Sequence, residues 1–192
     1  MVLVAGAGRV EARRPASTAR CVIDHVVYAQ DGEHNGVTAG FARMQTPPSA
    51  VTDLLFWVQT PHDRYWFELY APNGYGGTYI GPGLSPEAMK ARDDALDAAP
   101  ENEVPAEQVE PLEASEGDQE DAPAMLAFDA FDEALRPYPS PPTSRDRAPA
   151  RLFSRDLGPA FWYNAKGMKA DGTGERTRES IAIAMFVPRD CR

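Results

Sequence analysis

The segment from Asp53 to Tyr70 constrains the fold more than any other part of the chain. Arg64-Tyr65-Trp66-Phe67-Glu68-Leu69-Tyr70 alternates strictly, with Tyr65, Phe67 and Leu69 on one face and Arg64, Trp66, Glu68 and Tyr70 on the other. That is the period of two that a half-buried strand requires. Thr60-Pro61-His62-Asp63 precedes it with Pro at the second turn position. Before the turn, Asp53-Leu54-Leu55-Phe56-Trp57-Val58-Gln59 is apolar on both faces, as in a strand covered from both sides. The two runs predict an antiparallel hairpin, and a hairpin needs further strands to bury its apolar face.

Those strands are legible on either side. Cys21 to Tyr28 is rich in β-branched residues, Gln30 to Gly36 has turn chemistry, and Val37 to Met44 reads as the returning strand anchored by Phe41 and ended by Pro47-Pro48. Asn73-Gly74 and Gly76-Gly77 turn the chain into Thr78-Tyr79-Ile80. Ser85-Pro86-Glu87 starts a helix by a named mechanism: a hydroxyl at the N-cap, Pro where no donor is needed, and an acid near the positive dipole end. The helix runs to about Ala98, and its large apolar residues, Met89 and Leu96, predict loose packing.

Further on the pattern divides. Met125, Phe128, Phe131 and Leu135 follow helical spacing, while Leu126 to Phe131 also fits a strand, and the spacing leans to the helix. Five prolines between Pro137 and Pro149 make an extended connector. Arg151-Leu152-Phe153 reads as an edge strand, Phe161-Trp162-Tyr163 as an apolar anchor, Lys166 to Arg178 as a polar loop, and Ser180 to Val187 as a closing strand.

The net charge of -10 belongs to one segment. Twelve acids and no Lys or Arg lie between Asp93 and Asp121, leaving 17 acids against 19 bases elsewhere. Pro100, Pro105 and Pro111 interrupt that stretch, and its few large apolar residues cannot offset the entropy of ordering it. About residues 98–122 therefore read as a disordered acidic insertion, solubilising or a dock for a basic partner. The fold expected is α+β, mainly an antiparallel β-sheet with one or two peripheral helices and that insertion: a segment 1–20, then a single domain 21–192. No basic stripe suggests nucleic acid. The longest apolar runs, Leu54 to Val58 and Ile181 to Val187, fall far short of the ~20 residues of a spanning helix, so no transmembrane segment is expected.

Two cysteines, Cys21 and Cys191, sit near the ends of the domain. If the first and last strands are neighbours, a disulfide closes almost the whole domain and contributes up to ~5 kcal/mol in the chain-entropy model; the other reading is two unrelated cytosolic thiols. Met1 to Gly8 is short and apolar without a basic n-region, and runs into the small-x-small triplet Val10-Glu11-Ala12, like the tail of a secretory signal whose beginning is missing. Export to the periplasm or beyond accounts for triplet and cysteine pair together.

Catalytic motifs are scarce. There is no Gly-x-Ser-x-Gly elbow, phosphate-binding loop or paired-histidine zinc motif. Asp31, Glu33 and His34 share a loop, but such clusters arise by chance, and neither a metal nor a cofactor is assigned. Gly74 to Gly81 lacks the spacing of a dinucleotide loop. Cys21 near His25 reads better as half of a disulfide than as a nucleophile, and no catalytic residue is assigned. What exceeds background is aromatic: eight of the 18 Phe, Trp and Tyr residues fall between Phe56 and Tyr79. Most belong to a core. Trp66 and Tyr70, however, share a face with Arg64 and Glu68, and Tyr75 and Tyr79 flank a glycine turn, a pattern suited to binding because aromatic area beside a polar rim is recognised at low entropic cost.

Val37-Thr38-Ala39-Gly40-Phe41, Thr52-Asp53-Leu54, Arg64-Tyr65-Trp66-Phe67, Phe153-Ser154-Arg155-Asp156-Leu157 and Phe161-Trp162-Tyr163 resemble small exported proteins of sphingomonad-type alphaproteobacteria. The resemblance covers about two-thirds of the chain and skips the acidic loop. It implies export and a strand around Leu126 to Phe131, and it brings no activity. The expected function is a non-catalytic exported module of the cell envelope that recognises a protein or glycan through Trp66, Tyr70, Tyr75 and Tyr79. The alternatives are a small hydrolase using His62 or His25 with a carboxylate, and an inhibitor or immunity-type protein acting through the acidic loop.

Overall fold

The computed structural model describes residues 21–32, 36–44, 51–72, 76–98, 125–164, 166–170, 178–181 and 185–191. Eight strands occur among the described residues, in chain order: β1 Val26–Gln30, β2 Thr38–Arg43, β3 Leu54–Gln59, β4 Arg64–Tyr70, β5 Thr78–Pro82, β6 Leu126–Phe131, β7 Arg151–Phe153 and β8 Met185–Cys191. Each pairs antiparallel with the next, and β8 pairs back with β1, closing a barrel. The expected antiparallel sheet is thus present but curls until it has no edge, and Arg151–Phe153 is a stave between β6 and β8 rather than an edge strand.

Alternation decides what faces in. Tyr65, Phe67 and Leu69 are buried while Trp66, Glu68 and Tyr70 are only half-buried. The same period places Tyr28, Phe41, Phe56 and Phe128 in the interior, where Phe56 and Phe128 approach to 4.9 Å between ring centroids and Phe41 and Phe56 to 5.6 Å. Eight strands enclose a space just wide enough for side chains to fill, and here aromatic rings fill it. Tyr28 donates its hydroxyl to the Pro149 carbonyl at 2.9 Å, and burial pushes its ionisation far above the usual range. An interior filled with apolar side chains differs from the polar interior of a barrel that faces lipid, and the strands, of three to seven residues, are shorter than the ~9–11 residues such a barrel uses. Among the described residues no helix is long and apolar enough to cross a membrane.

Two helices complete the described fold. Helix α1, Pro86–Ala98, begins where the sequence places it, with Ala88 N–H donating to Ser85 Oγ at 3.1 Å. It lies on the barrel's outer face, with Met89 buried against Met44 and Leu55 and with Trp66 and Leu84 alongside, while Leu96 is exposed. Helix α2, Leu157–Tyr163, contains the Phe161-Trp162-Tyr163 run expected as an apolar anchor, but only Phe161 is buried while Trp162 and Tyr163 are exposed; the helix closes the barrel at the β3–β4 turn, where the Phe161 ring meets Tyr65 edge-on at 4.5 Å. A 3-10 turn, Lys166–Met168, follows.

Three further expectations are corrected. Residues 126–131 form a strand, contrary to the lean of the spacing, because Leu126, Phe128 and Ala130 point inward while Met125 and Leu135 of the helical pattern are exposed. The first strand begins only at Val26, after a 3-10 turn over Ile23–His25 that buries Ile23. Of the strand expected over 180–187, Ser180 and Ile181 are not strand, 182–184 lie outside the described residues, and the last strand runs Met185–Cys191, past the expected end, because β1 supplies ladder partners as far as Val26, opposite Cys191; the register shifts beside Val27, so Pro188, which has no N–H to donate, sits at an irregularity that tolerates it. Cys21 and Cys191 are bonded, with Cα atoms 6.1 Å apart, at the β1–β8 seam. The acidic insertion lies outside the described residues apart from Ala98, as do segment 1–20, Glu33 and His34 of the loop after β1, and 171–177 of the polar loop expected over Lys166 to Arg178.

Candidate functional site

The outer face of the β2–β5 staves is built by register. Trp57 of β3 stands directly opposite Trp66 of β4, with Gly40 beside Trp57 on β2. On the far side, Gly83 N–H donates to the Trp66 carbonyl at 2.8 Å, extending the β4–β5 ladder by one residue. Two tryptophans thus lie side by side between two glycines. The glycines are there for space. A Cβ at Gly40 would sit 2.5 Å from Trp57 Cζ2, so the indole rests on bare backbone; at Gly83 it would meet Glu68 Cγ and backbone N at 3.0 Å.

Arg64, at the start of β4, lies over both indoles, its guanidinium carbon 4.8 Å from the Trp57 ring centroid and 5.8 Å from that of Trp66. Its aim is fixed from below. Gln59 Nε2 donates to the Thr60 and Asp63 carbonyls at 2.8 and 3.0 Å, which leaves Gln59 Oε1 to accept from Arg64 Nε at 3.0 Å. Beside this pair a groove of about 190 Å³ opens between β4, the turn into α1 and the second 3-10 turn, lined by Arg64, Trp66, Gly83, Leu84, Ser85 and Lys169 among others. Lys169 is held by the Asp63 carboxylate and lies 5.7 Å from the Tyr65 ring centroid. Burial, with the Glu179 and Asp63 charges, pushes the Tyr65 hydroxyl up to about 12.

Of the residues expected to bind, Tyr70 and Tyr79 are brought together as direct cross-strand neighbours. Tyr79 is exposed, and Tyr70 donates to Glu68 Oε2 at 2.8 Å; burial and that contact push its hydroxyl up to about 12. Trp66 lies on the same outer face of β4, about 13 Å along the strand from Tyr70 at ~3.3 Å per residue, so the surface has two centres. Tyr75 lies outside the described residues. Trp57, counted in the aromatic run without a separate role, belongs to the Trp66 centre; its place between inward Phe56 and Val58 was the available signal.

Sequence reading also passed over Glu179. This carboxylate, with only 4% of its side chain exposed, accepts from Thr60 Oγ1 at 2.7 Å and lies 3.0 Å from His62 Nδ1, at the barrel end closed by α2. In the tautomer in which Nδ1 donates to this carboxylate, Nε2 is the basic nitrogen of the neutral ring. His62 is largely exposed. His25 is exposed in the first 3-10 turn with no carboxylate partner among the described residues, and Cys21 is consumed by its disulfide. No group of three metal-ligating side chains occurs among the described residues.

No family model matches the chain, and neither a curated protein nor a solved structure matches it.

Proposed function

We propose that this chain is a non-catalytic binding module of the cell envelope, exported to the periplasm or beyond, whose outer aromatic face recognises a glycan. The observation that carries the reading is the row Gly40-Trp57-Trp66-Gly83, in which two half-buried indoles lie on the outside of a barrel whose own core is already filled by other rings. Flat aromatic surface next to charged and hydroxyl groups suits the apolar face and polar rim of a sugar ring. A peptide partner has less to hold. Among the described residues the closed barrel offers no strand edge for β-addition, and this groove beside Trp66, of about 190 Å³, is too small for an amphipathic helix. The Cys21–Cys191 bond supports an oxidising compartment. Titration of the isotopically labelled protein with a panel of neutral and acidic envelope oligosaccharides tests the reading. The expected result is movement of the Trp57 and Trp66 indole signals, lost in Trp66→Ala; a panel that moves neither signal refutes it.

The His62–Glu179 pair favours a second reading, a small hydrolase in which Glu179 orients the imidazole and Nε2 serves as general base. Turnover of simple aryl esters that falls at least 100-fold in His62→Ala, while the melting temperature is kept, is its expected signature. Equal turnover by the two proteins rejects it.

A further inference from the structure

Arg64 stands out among the charged groups of the described surface because its orientation is fixed while its terminal amines remain open. Its Nε is committed to Gln59 and its plane to the two indoles, and among the described residues the terminal amines make no hydrogen bond. A guanidinium held this way is preorganised for a bidentate carboxylate, because the entropy of aiming it is spent on folding rather than on binding. The other cation of the groove, Lys169, is occupied by Asp63. The remaining wall is Trp66, with Gly83 and Leu84 beyond it, and the space of about 190 Å³ is below the ~300 Å³ at which drug-sized ligand pockets begin, so it takes a single ring.

We infer that this groove takes a carboxylate-bearing sugar ring, a uronate unit, with the ring beside the exposed part of Trp66 and the carboxylate on the terminal amines of Arg64. The inference rests on the glycan-binding reading and narrows it to acidic glycans. Carboxylate recognition also explains why the hairpin invests Gln59 in holding Arg64: Gln59 bridges two turn carbonyls to one arginine nitrogen, a positioning role that an arginine serving only solubility does not need.

Trigalacturonate, its methyl ester and the neutral trimer of N-acetylglucosamine are titrated into the full chain, followed by the Trp66 indole signal and by calorimetry. Trigalacturonate is expected to bind at least tenfold more tightly than either uncharged sugar and to lose affinity as salt is raised. Arg64→Gln is expected to remove that tenfold advantage, so that trigalacturonate binds no more tightly than the uncharged sugars, and Trp66→Ala to weaken all three. Because Arg64 is exposed, its variant should melt close to the parent, and a matching near-ultraviolet spectrum confirms that the indoles remain packed. Equal affinity for the three sugars, or an Arg64→Gln protein that still prefers the acid, overturns the carboxylate while leaving the glycan reading standing. No movement of the indole signals with any of the three overturns both, and benzoate competing as well as galacturonate overturns the sugar.

Discussion

Reducing the Cys21–Cys191 bond tests the closure of the barrel with a magnitude that can be worked in advance. The bond joins residues 170 apart in sequence. Confining a loop of that length costs the unfolded chain about 17 cal/mol/K in the chain-entropy treatment, or about 5 kcal/mol at 25 °C. The native state forfeits little when the bond is cut, because β1 and β8 remain paired from Val26 to Gln30. A domain of this size loses roughly 2–4 °C of melting temperature per kcal/mol, so reduction, or the Cys21→Ser/Cys191→Ser protein, should melt about 10–20 °C lower. Residual structure in the denatured chain brings the value toward the lower end. Urea unfolding supplies an independent sign. The cross-linked denatured state exposes less surface, so the oxidised protein should show the smaller dependence of stability on denaturant. Melting temperatures within about 3 °C of one another, with identical denaturant slopes, would refute the idea that the bond acts by constraining the unfolded chain.

Phe67→Ala removes a fully buried ring near Phe56 and Phe161 and should cost about 3–5 kcal/mol, whereas Trp66→Ala, half-buried beside Met89, should cost about half as much; equal losses in thermal melts would mean that the two faces of β4 are both core. Gly40→Ala places a methyl group against the Trp57 ring and 2.9 Å from the Val26 carbonyl, so a loss of about 1–3 kcal/mol is expected together with a red shift of tryptophan emission, and an unchanged spectrum would place Trp57 elsewhere. Burial pushes the Asp53 carboxyl up, but hydrogen bonds from Ser144 Oγ and N, aided by Arg43, outweigh it and hold the group below the usual range. A folded-state value lower than the unfolded one contributes stability that is present above about pH 4 and is lost as pH falls through the depressed value. Asp53→Asn should therefore cost about 1–3 kcal/mol at pH 7 and progressively less as pH falls through the depressed value, and a loss that does not change with pH argues against an ionised Asp53.

Sequence alone determined what depends on neighbours along the chain. The alternation of Arg64 to Tyr70, the turn at Thr60 to Asp63 and the helix start at Ser85 are legible because side-chain period, Pro placement and capping are local properties. Where two local patterns overlapped, at residues 125–135, sequence could not arbitrate. There the structure chose the strand, because β5 and β7 supply ladder partners on both sides and the interior accepts Leu126, Phe128 and Ala130. Closure itself is tertiary. Whether an antiparallel sheet stays open or curls until β8 meets β1 depends on the sum of its twists and registers, which no short window contains. The same holds for both candidate sites: Arg64 meets Trp57 because strand register puts it there, and His62 meets Glu179 across 117 residues because helix α2 closes the barrel end beside them. Local chemistry pointed to Arg64, Trp66 and His62 but not to Glu179 or to a role for Trp57, because those depend on contacts that exist only once the barrel closes.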